Sequence, residues 1–224
     1  MKYILTLSLG LMTTLGWAQT ATVDSSYNNS YYQSRMEVFA NLPSPKKAIV
    51  FLGNSITERG QWHELIPGKV IMNRGIGGDN TFGVLARLDA IIEAQPKKIF
   101  LIIGVNDMFR KLPIGVVVNN YQRIINRIKK GSPRTKIYIE SVLPINEGLA
   151  KDVSYAVGRN EMVTELNKQV RALAEKEKLT YIDLNPLFED EEGKLKKELT
   201  NDGVHLKPEG YKFWVDYLKK KKYL

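Results

Sequence analysis

The stretch Ile49-Val50-Phe51-Leu52-Gly53-Asn54-Ser55-Ile56-Thr57 decides how the chain is read. A short, continuous, β-branched apolar run reads as a strand buried on both faces. Gly53-Asn54-Ser55 then leads into a polar, helix-compatible segment, which sets a serine at the carboxyl end of that strand. Ligands of open α/β sheets bind at that edge. A serine there is a candidate nucleophile, provided a base and an oxyanion site exist elsewhere. Thr57 stands where a Gly-x-Ser-x-Gly elbow would need its second glycine, so that motif is absent. The plainer alternative is that Ser55 only caps a helix, a role serine fills well.

Outward from this strand, strand-like and helix-like segments alternate. Residues 69–73 read as a second strand. Phe82, Leu85, Leu88, Ile91 and Ile92 have helical spacing and predict one helix over 81–94, stopped by Pro96. A third strand over 98–103 runs into Gly104-Val105-Asn106-Asp107. Pro113 opens a helix that runs to Lys130, with Gly131 as its C-cap. A fourth strand is expected over 136–142, an amphipathic helix over 158–178, a short fifth strand over 180–184 and a last helix over 207–217. Residues 185–203 read as an acidic loop. This alternation implies an α/β fold, a parallel sheet with right-handed crossovers covered on both faces.

The chain has 224 residues, 43% hydrophobic and 25% charged, enough for one soluble domain with a full core. Its net charge of +9 raises the question of an anionic partner. The lysines are spread, however, and the one dense run, Lys219 to Lys222, reads as the solvated end of the last helix. No nucleic-acid partner is expected. Residues 1–18 resemble a secretory signal peptide: Lys2, an apolar segment over 4–15, then Gly16-Trp17-Ala18, with cleavage after Ala18. The segment is too short for a comfortable membrane span, so the expectation is a periplasmic or secreted protein with no stable membrane anchor. Residues 19–45 form an N-terminal extension with a helix, ended by Pro43 and Pro45, and 46–224 form the main domain. The absence of cysteine excludes disulfides, lipoprotein acylation and a cysteine-ligated metal.

Four motifs fall at strand ends or in loops: Gly53-Asn54-Ser55, Asn73-Arg74-Gly75-Ile76-Gly77-Gly78-Asp79, Gly104-Val105-Asn106-Asp107 and Asp202-Gly203-Val204-His205. The first three share one sheet edge. Acyl transfer needs a nucleophile, a base, a group that orients the base, and oxyanion donors. Ser55 can be the nucleophile. The base is one of two histidines, His63 or His205. His63 lies in the helix after Ser55, which should carry it away, whereas His205 sits in a loop three residues after Asp202, which can bend back to hold the ring. Asn106 offers a side-chain NH₂ and Gly78 an unobstructed backbone N–H. A phosphate-loop reading of Gly75 to Gly78 lacks both Gly-x-Gly-x-x-Gly spacing and a P-loop lysine.

In this order the four motifs resemble those of the SGNH (GDSL-type) hydrolases, from about Ile49 to Trp214. Gly53-Asn54-Ser55 matches the nucleophile block, with Asn54 in place of the commoner Asp. Gly78 takes the oxyanion-glycine position, Asn106 that of the asparagine block, and Asp202 and His205 those of the remaining catalytic pair. The run Asn-x-Gly-Ile-Gly-Gly-Asp is similar to the branch that holds platelet-activating-factor acetylhydrolase subunits and bacterial sialate or carbohydrate O-acetylesterases. The resemblance implies a three-layer α/β/α sandwich with a five-stranded parallel sheet of flavodoxin-like order. It also implies no metal or organic cofactor. The expected activity is a secreted serine esterase acting on short-chain, acetyl esters of carbohydrates. The alternatives are a lysophospholipase or lipase of the same mechanism, and a carbohydrate-binding protein without catalysis.

Overall fold

The computed structural model describes residues 26–224; the expected signal peptide and its cleavage site lie outside them. Five strands, β1 (Ile49–Gly53), β2 (Ile71–Gly75), β3 (Lys98–Ile102), β4 (Lys136–Glu140) and β5 (Thr180–Ile182), form one parallel sheet in the order β2-β1-β3-β4-β5. The flavodoxin-like order implied by the family resemblance is the one observed. The helices in chain order are α1 (Ser30–Asn41), α2 (Ser55–Glu58), α3 (Trp62–Leu65), α4 (Thr81–Ala86), α5 (Leu88–Glu93) and α6 (Val105–Phe109). There follow α7 (Ile114–Gly131), α8 (Val153–Ala156), α9 (Arg159–Lys176), α10 (Asn185–Phe188) and α11 (Pro208–Lys220).

Every residue of β1 is buried, as its unbroken apolar run requires. Strand alternation gives the two faces different chemistry. Phe51, Phe100 and Tyr138 are register partners on β1, β3 and β4 and stack across the sheet at 5.1 and 4.7 Å. Trp62 of α3 stacks on Phe51 at 4.0 Å, and Trp214 of α11 meets Trp62 edge-on at 5.1 Å. The intervening residues Val50, Leu52, Ile99, Leu101, Ile137 and Ile139 are buried aliphatics. α4, α5, α7 and α9 pack on one another in the remaining layer.

Several elements depart from expectation. The single helix over 81–94 is two, α4 and α5, with a break at Arg87, whose backbone leaves the helical region (φ −105°, ψ 8°). Its guanidinium turns inward to bond strand-end carbonyls, described below. β2 lies two residues later than 69–73, because Asn73 and Arg74 bond backbone groups around the strand end instead of starting a loop. Gly131 is the last residue of α7 and Ser132 its cap. β3, β4 and β5 each stop one or two residues early, where the chain leaves the sheet for the loops of the site. The last helix extends three residues past Tyr217 to Lys220. The acidic stretch 185–203 is more regular than a loop, holding α10, a 3₁₀ turn (Lys197–Leu199) and a bridge from Glu189 to Leu195.

Glu140 sits fully buried on the aromatic face. Its Oε1 accepts the Trp214 indole N–H at 2.8 Å and its Oε2 has no partner among the described residues. Burial pushes the carboxyl up to about 8, against the opposing pull of the Trp214 bond. The folded pKa lies above the unfolded one, so this group's stabilisation is full at low pH and is lost as pH rises from about 4.5 to 8. Each unit corresponds to about 1.4 kcal/mol, a few kcal/mol in all. Glu140→Gln should therefore flatten the alkaline fall in melting temperature. A mutant that loses stability between about pH 5 and pH 9 as steeply as the parent would refute this account.

Candidate functional site

Ser55 opens α2, but it is not the cap. Asn54 caps the helix, its Oδ1 accepting the Ile56 N–H at 2.9 Å. The serine side chain is thereby released, and its Oγ lies 2.9 Å from His205 Nε2. His205 Nδ1 lies 2.7 Å from Asp202 Oδ2. Two residues 150 positions apart in the chain thus meet at one hydroxyl. His63 sits elsewhere, on α3, with its side chain 70% exposed and 3.8 Å from Glu64. A three-residue break after α2, not a continuous helix, takes it there.

The Asp202–His205 turn is built by short-range bonds. Asp202 Oδ1 accepts the N–H groups of Val204 (3.0 Å) and His205 (2.8 Å). Thr200 Oγ1 accepts those of Asp202 and Gly203. Gly203 has φ +79°, and a Cβ there would fall 2.1 Å from the Asn146 carbonyl, so only glycine fits. Burial pushes the Asp202 carboxyl up, but the His205 amide, the His205 ring and the Val204 amide outweigh it, and the group is held down to about 2. It is therefore anionic at neutral pH and favours the tautomer with the proton on Nδ1 and the lone pair of Nε2 facing Ser55.

The glycine loop follows β2. Ile76 N–H donates to the Gly53 carbonyl and Asp79 N–H to the Ile76 carbonyl. Gly78 has φ +74° with open space where a Cβ would go, so its glycine serves the backbone conformation. Asn106, in α6, donates Nδ2 to the Asp79 carbonyl at 2.7 Å, which leaves its second amide hydrogen for the cleft. Among the described residues no acceptor takes the N–H of Ser55 or of Gly78. Ser55, Gly78, Asn106, Asp202 and His205 are thus gathered at the carboxyl edge of the sheet.

Two supports escaped the sequence reading. Arg87 reaches under the site: Nη2 donates to the Gly53 carbonyl (2.9 Å), Nη1 to the Arg74 carbonyl (2.8 Å), and Nε and Nη2 to Asp79 Oδ2 (3.0 and 2.8 Å). It ties the ends of β1 and β2 to the glycine loop. Its signal was present, since Arg87 lies three residues after Val84 and four before Ile91 on an apolar stripe. Glu58 accepts the Gly77 N–H at 2.9 Å; a lone glutamate in a short helix carries no signal of that. Among the described residues no cluster of three or more His, Asp or Glu could hold a metal ion, and no helix is long and apolar enough to cross a membrane.

The GDSL-like lipase/acylhydrolase family model matches residues 51–213. Platelet-activating factor acetylhydrolase IB subunit alpha1 of Rattus norvegicus is 26% identical over 170 residues, 73% of this chain and 69% of that protein. The isoamyl acetate-hydrolyzing esterase of Saccharomyces cerevisiae is 26% identical over 161 residues, 67% of each. A solved structure from Streptococcus pneumonia, provisionally named a platelet activating factor, superposes with a TM-score of 0.75 at 31% identity, over 85% of this chain and 90% of that one. The match across most of the chain, on the fold the motifs require, carries one conclusion: this chain belongs to the GDSL-like lipase/acylhydrolase family and is a carboxylic ester hydrolase.

Proposed function

We propose that the chain is an exported serine esterase that removes short acyl groups, acetyl above all, from hydroxyl-rich alcohols such as sugars. The observation that carries the chemistry is the relay from Ser55 Oγ to His205 Nε2 (2.9 Å) and from His205 Nδ1 to Asp202 Oδ2 (2.7 Å). Neutral His205 takes the Ser55 proton as Oγ attacks the ester carbonyl. The N–H groups of Ser55 and Gly78 and the Asn106 amide hold the oxyanion. Collapse expels the alcohol, which takes its proton from His205. A water deprotonated by His205 then attacks acyl-Ser55 and releases the acid. Asp202 keeps its charge throughout and stabilises the imidazolium. An intact relay of this kind argues against a binding protein without catalysis.

Two relatives whose names specify acetyl release support the short acyl group. The sugar half rests on the loop over 143–157, with Asn146, Glu147, Lys151, Asp152 and Ser154. There the exposed Tyr155 ring stacks at 5.1 Å on Phe109, three residues beyond Asn106, and offers an aromatic face to a sugar ring. Val153 and Val157 on the same loop are also exposed, which favours the second reading, a lysophospholipase. Each buried methylene contributes about 0.8 kcal/mol, so a lipase gains severalfold in kcat/KM per carbon. A series of p-nitrophenyl esters should instead peak at acetate or propionate and fall by octanoate. A peak at octanoate would replace the acetylesterase reading with the lipase one. Export follows from residues 1–18 read as a signal peptide cleaved after Ala18, with 19–45 an extension and 46–224 the hydrolase domain.

A further inference from the structure

Glu58 closes the single-turn helix that Ser55 opens, and its side chain faces two hydrogen-bond donors and one guanidinium. Oε2 accepts the Gly77 N–H at 2.9 Å. Oε1 accepts the Tyr31 hydroxyl at 2.9 Å and pairs with Arg35 Nε at 2.9 Å. Its backbone carbonyl accepts Asn73 Nδ2 at 2.9 Å. Tyr31 and Arg35 both belong to α1, in the extension that precedes the main domain. The loop they reach is the one that presents Gly78. A Cβ added at Gly77 would lie 3.1 Å from both Glu58 Oε2 and Tyr31 Cε1, so these atoms back the loop directly.

The other peptides of the loop are held by different groups. Arg110 Nη2 donates to the Gly78 carbonyl at 3.3 Å, and Asn106 Nδ2 to the Asp79 carbonyl at 2.7 Å. The Gly77 amide is held by Glu58, and the next peptide carries the Gly78 N–H. The direction of that N–H is therefore set by Glu58 on one side and by Arg110 and Asn106 on the other. We propose that Glu58 is a positioning residue for the oxyanion loop, and that through Tyr31 and Arg35 the N-terminal helix is a working part of the active site. The inference rests on Gly78 and Asn106 being oxyanion donors.

The chemistry of Glu58 leaves little choice of residue. A carboxylate has only acceptor oxygens, and both are used by donors. A glutamine must turn its NH₂ either onto the Gly77 N–H or onto Tyr31 and Arg35, and either choice displaces one side. Charge pulls the other way. A carboxylate near a developing oxyanion is unfavourable, and Arg35 offsets it at 2.9 Å. Removing the negative charge alone should speed the reaction, whereas loosening the loop should slow it. The sign of the change in kcat therefore separates the two.

The test uses p-nitrophenyl acetate, which reads ester chemistry without regard to the natural alcohol. Glu58→Gln should lower kcat by about ten- to a hundredfold, as small misplacements at a site do, with KM within about twofold. Tyr31→Phe removes one donor from an exposed side chain, so its melting temperature should match the parent and its kcat should fall about two- to fivefold with KM unchanged. Asn106→Ala is the reference and should lower kcat by roughly 10²–10³. If Asn106→Ala keeps parental kcat, the oxyanion-hole reading fails and the inference with it. If Asn106→Ala is slow while Glu58→Gln and Tyr31→Phe are not, the hole stands and the positioning role is overturned. A rise in kcat, or a change in KM alone, also overturns it. Should Glu58→Gln fail to fold, Tyr31→Phe decides.

Discussion

Ser55→Ala is expected to lower kcat by about 10⁶ while leaving the fold intact, the loss seen when the nucleophile of a serine triad is removed. Ser55 Oγ makes its side-chain bond to His205 and takes no part in capping α2, which Asn54 does. Its removal leaves a ring nitrogen that solvent can reach, since His205 is 22% exposed. The melting temperature should stay within a few degrees of the parent, because a change of about 1 kcal/mol shifts a chain of this size by only 2–4 °C. Initial rates with p-nitrophenyl acetate, on protein checked by circular dichroism, decide the point. A folded mutant that retains more than a few per cent of kcat would remove Ser55 from the mechanism.

His205→Ala should cost a similar factor, and His63→Ala should cost nothing measurable. The groups of a triad act as a unit, so the Ser55→Ala/His205→Ala double mutant should be scarcely slower than either single one. His63 is exposed and, among the described residues, its one ion-pair neighbour is the equally exposed Glu64. The base must be neutral to accept the serine proton, so kcat/KM should fall on acidification. Asp202, held down to about 2, stays anionic through that fall and adds no second limb above roughly pH 3. His63→Ala should keep this acid limb unchanged. An acid limb that vanishes in His63→Ala would reassign the base.

The cluster proposed here as catalytic was legible because its members lie where the sequence itself marks a turn. Gly53-Asn54-Ser55 ends an unbroken apolar run, Gly104 has φ +132° before Asn106, and Gly203 has φ +79° between Asp202 and His205. Glycines at strand ends and a pair of residues three apart are local signals. The parallel α/β sheet was legible in the alternation of strands and helices, which admits few topologies, whereas the strand order came only with the family resemblance. What held the site together was not local. Arg87 breaks the expected helix over 81–94 because its guanidinium has four bonds to make beneath the sheet edge, and helix periodicity reads it only as a charge on an apolar stripe. Glu58 meets Tyr31 across 27 positions and Gly77 across 19, and neither partner changes the local pattern around it. The boundary shift of β2 has a similar origin, in side chains of Asn73 and Arg74 that bond backbone carbonyls near their own strand.

The central claim is that Ser55 becomes covalently acylated. An aryl phosphonate fluoride tests it most directly, because a serine activated by a neighbouring histidine displaces fluoride and keeps the phosphonyl group. The account predicts one adduct per chain, located by peptide mass spectrometry on Ser55, appearing in step with the loss of esterase activity and absent from His205→Ala. Full inactivation with the adduct on another residue, or a Ser55→Ala protein labelled as fast as the parent, would contradict it.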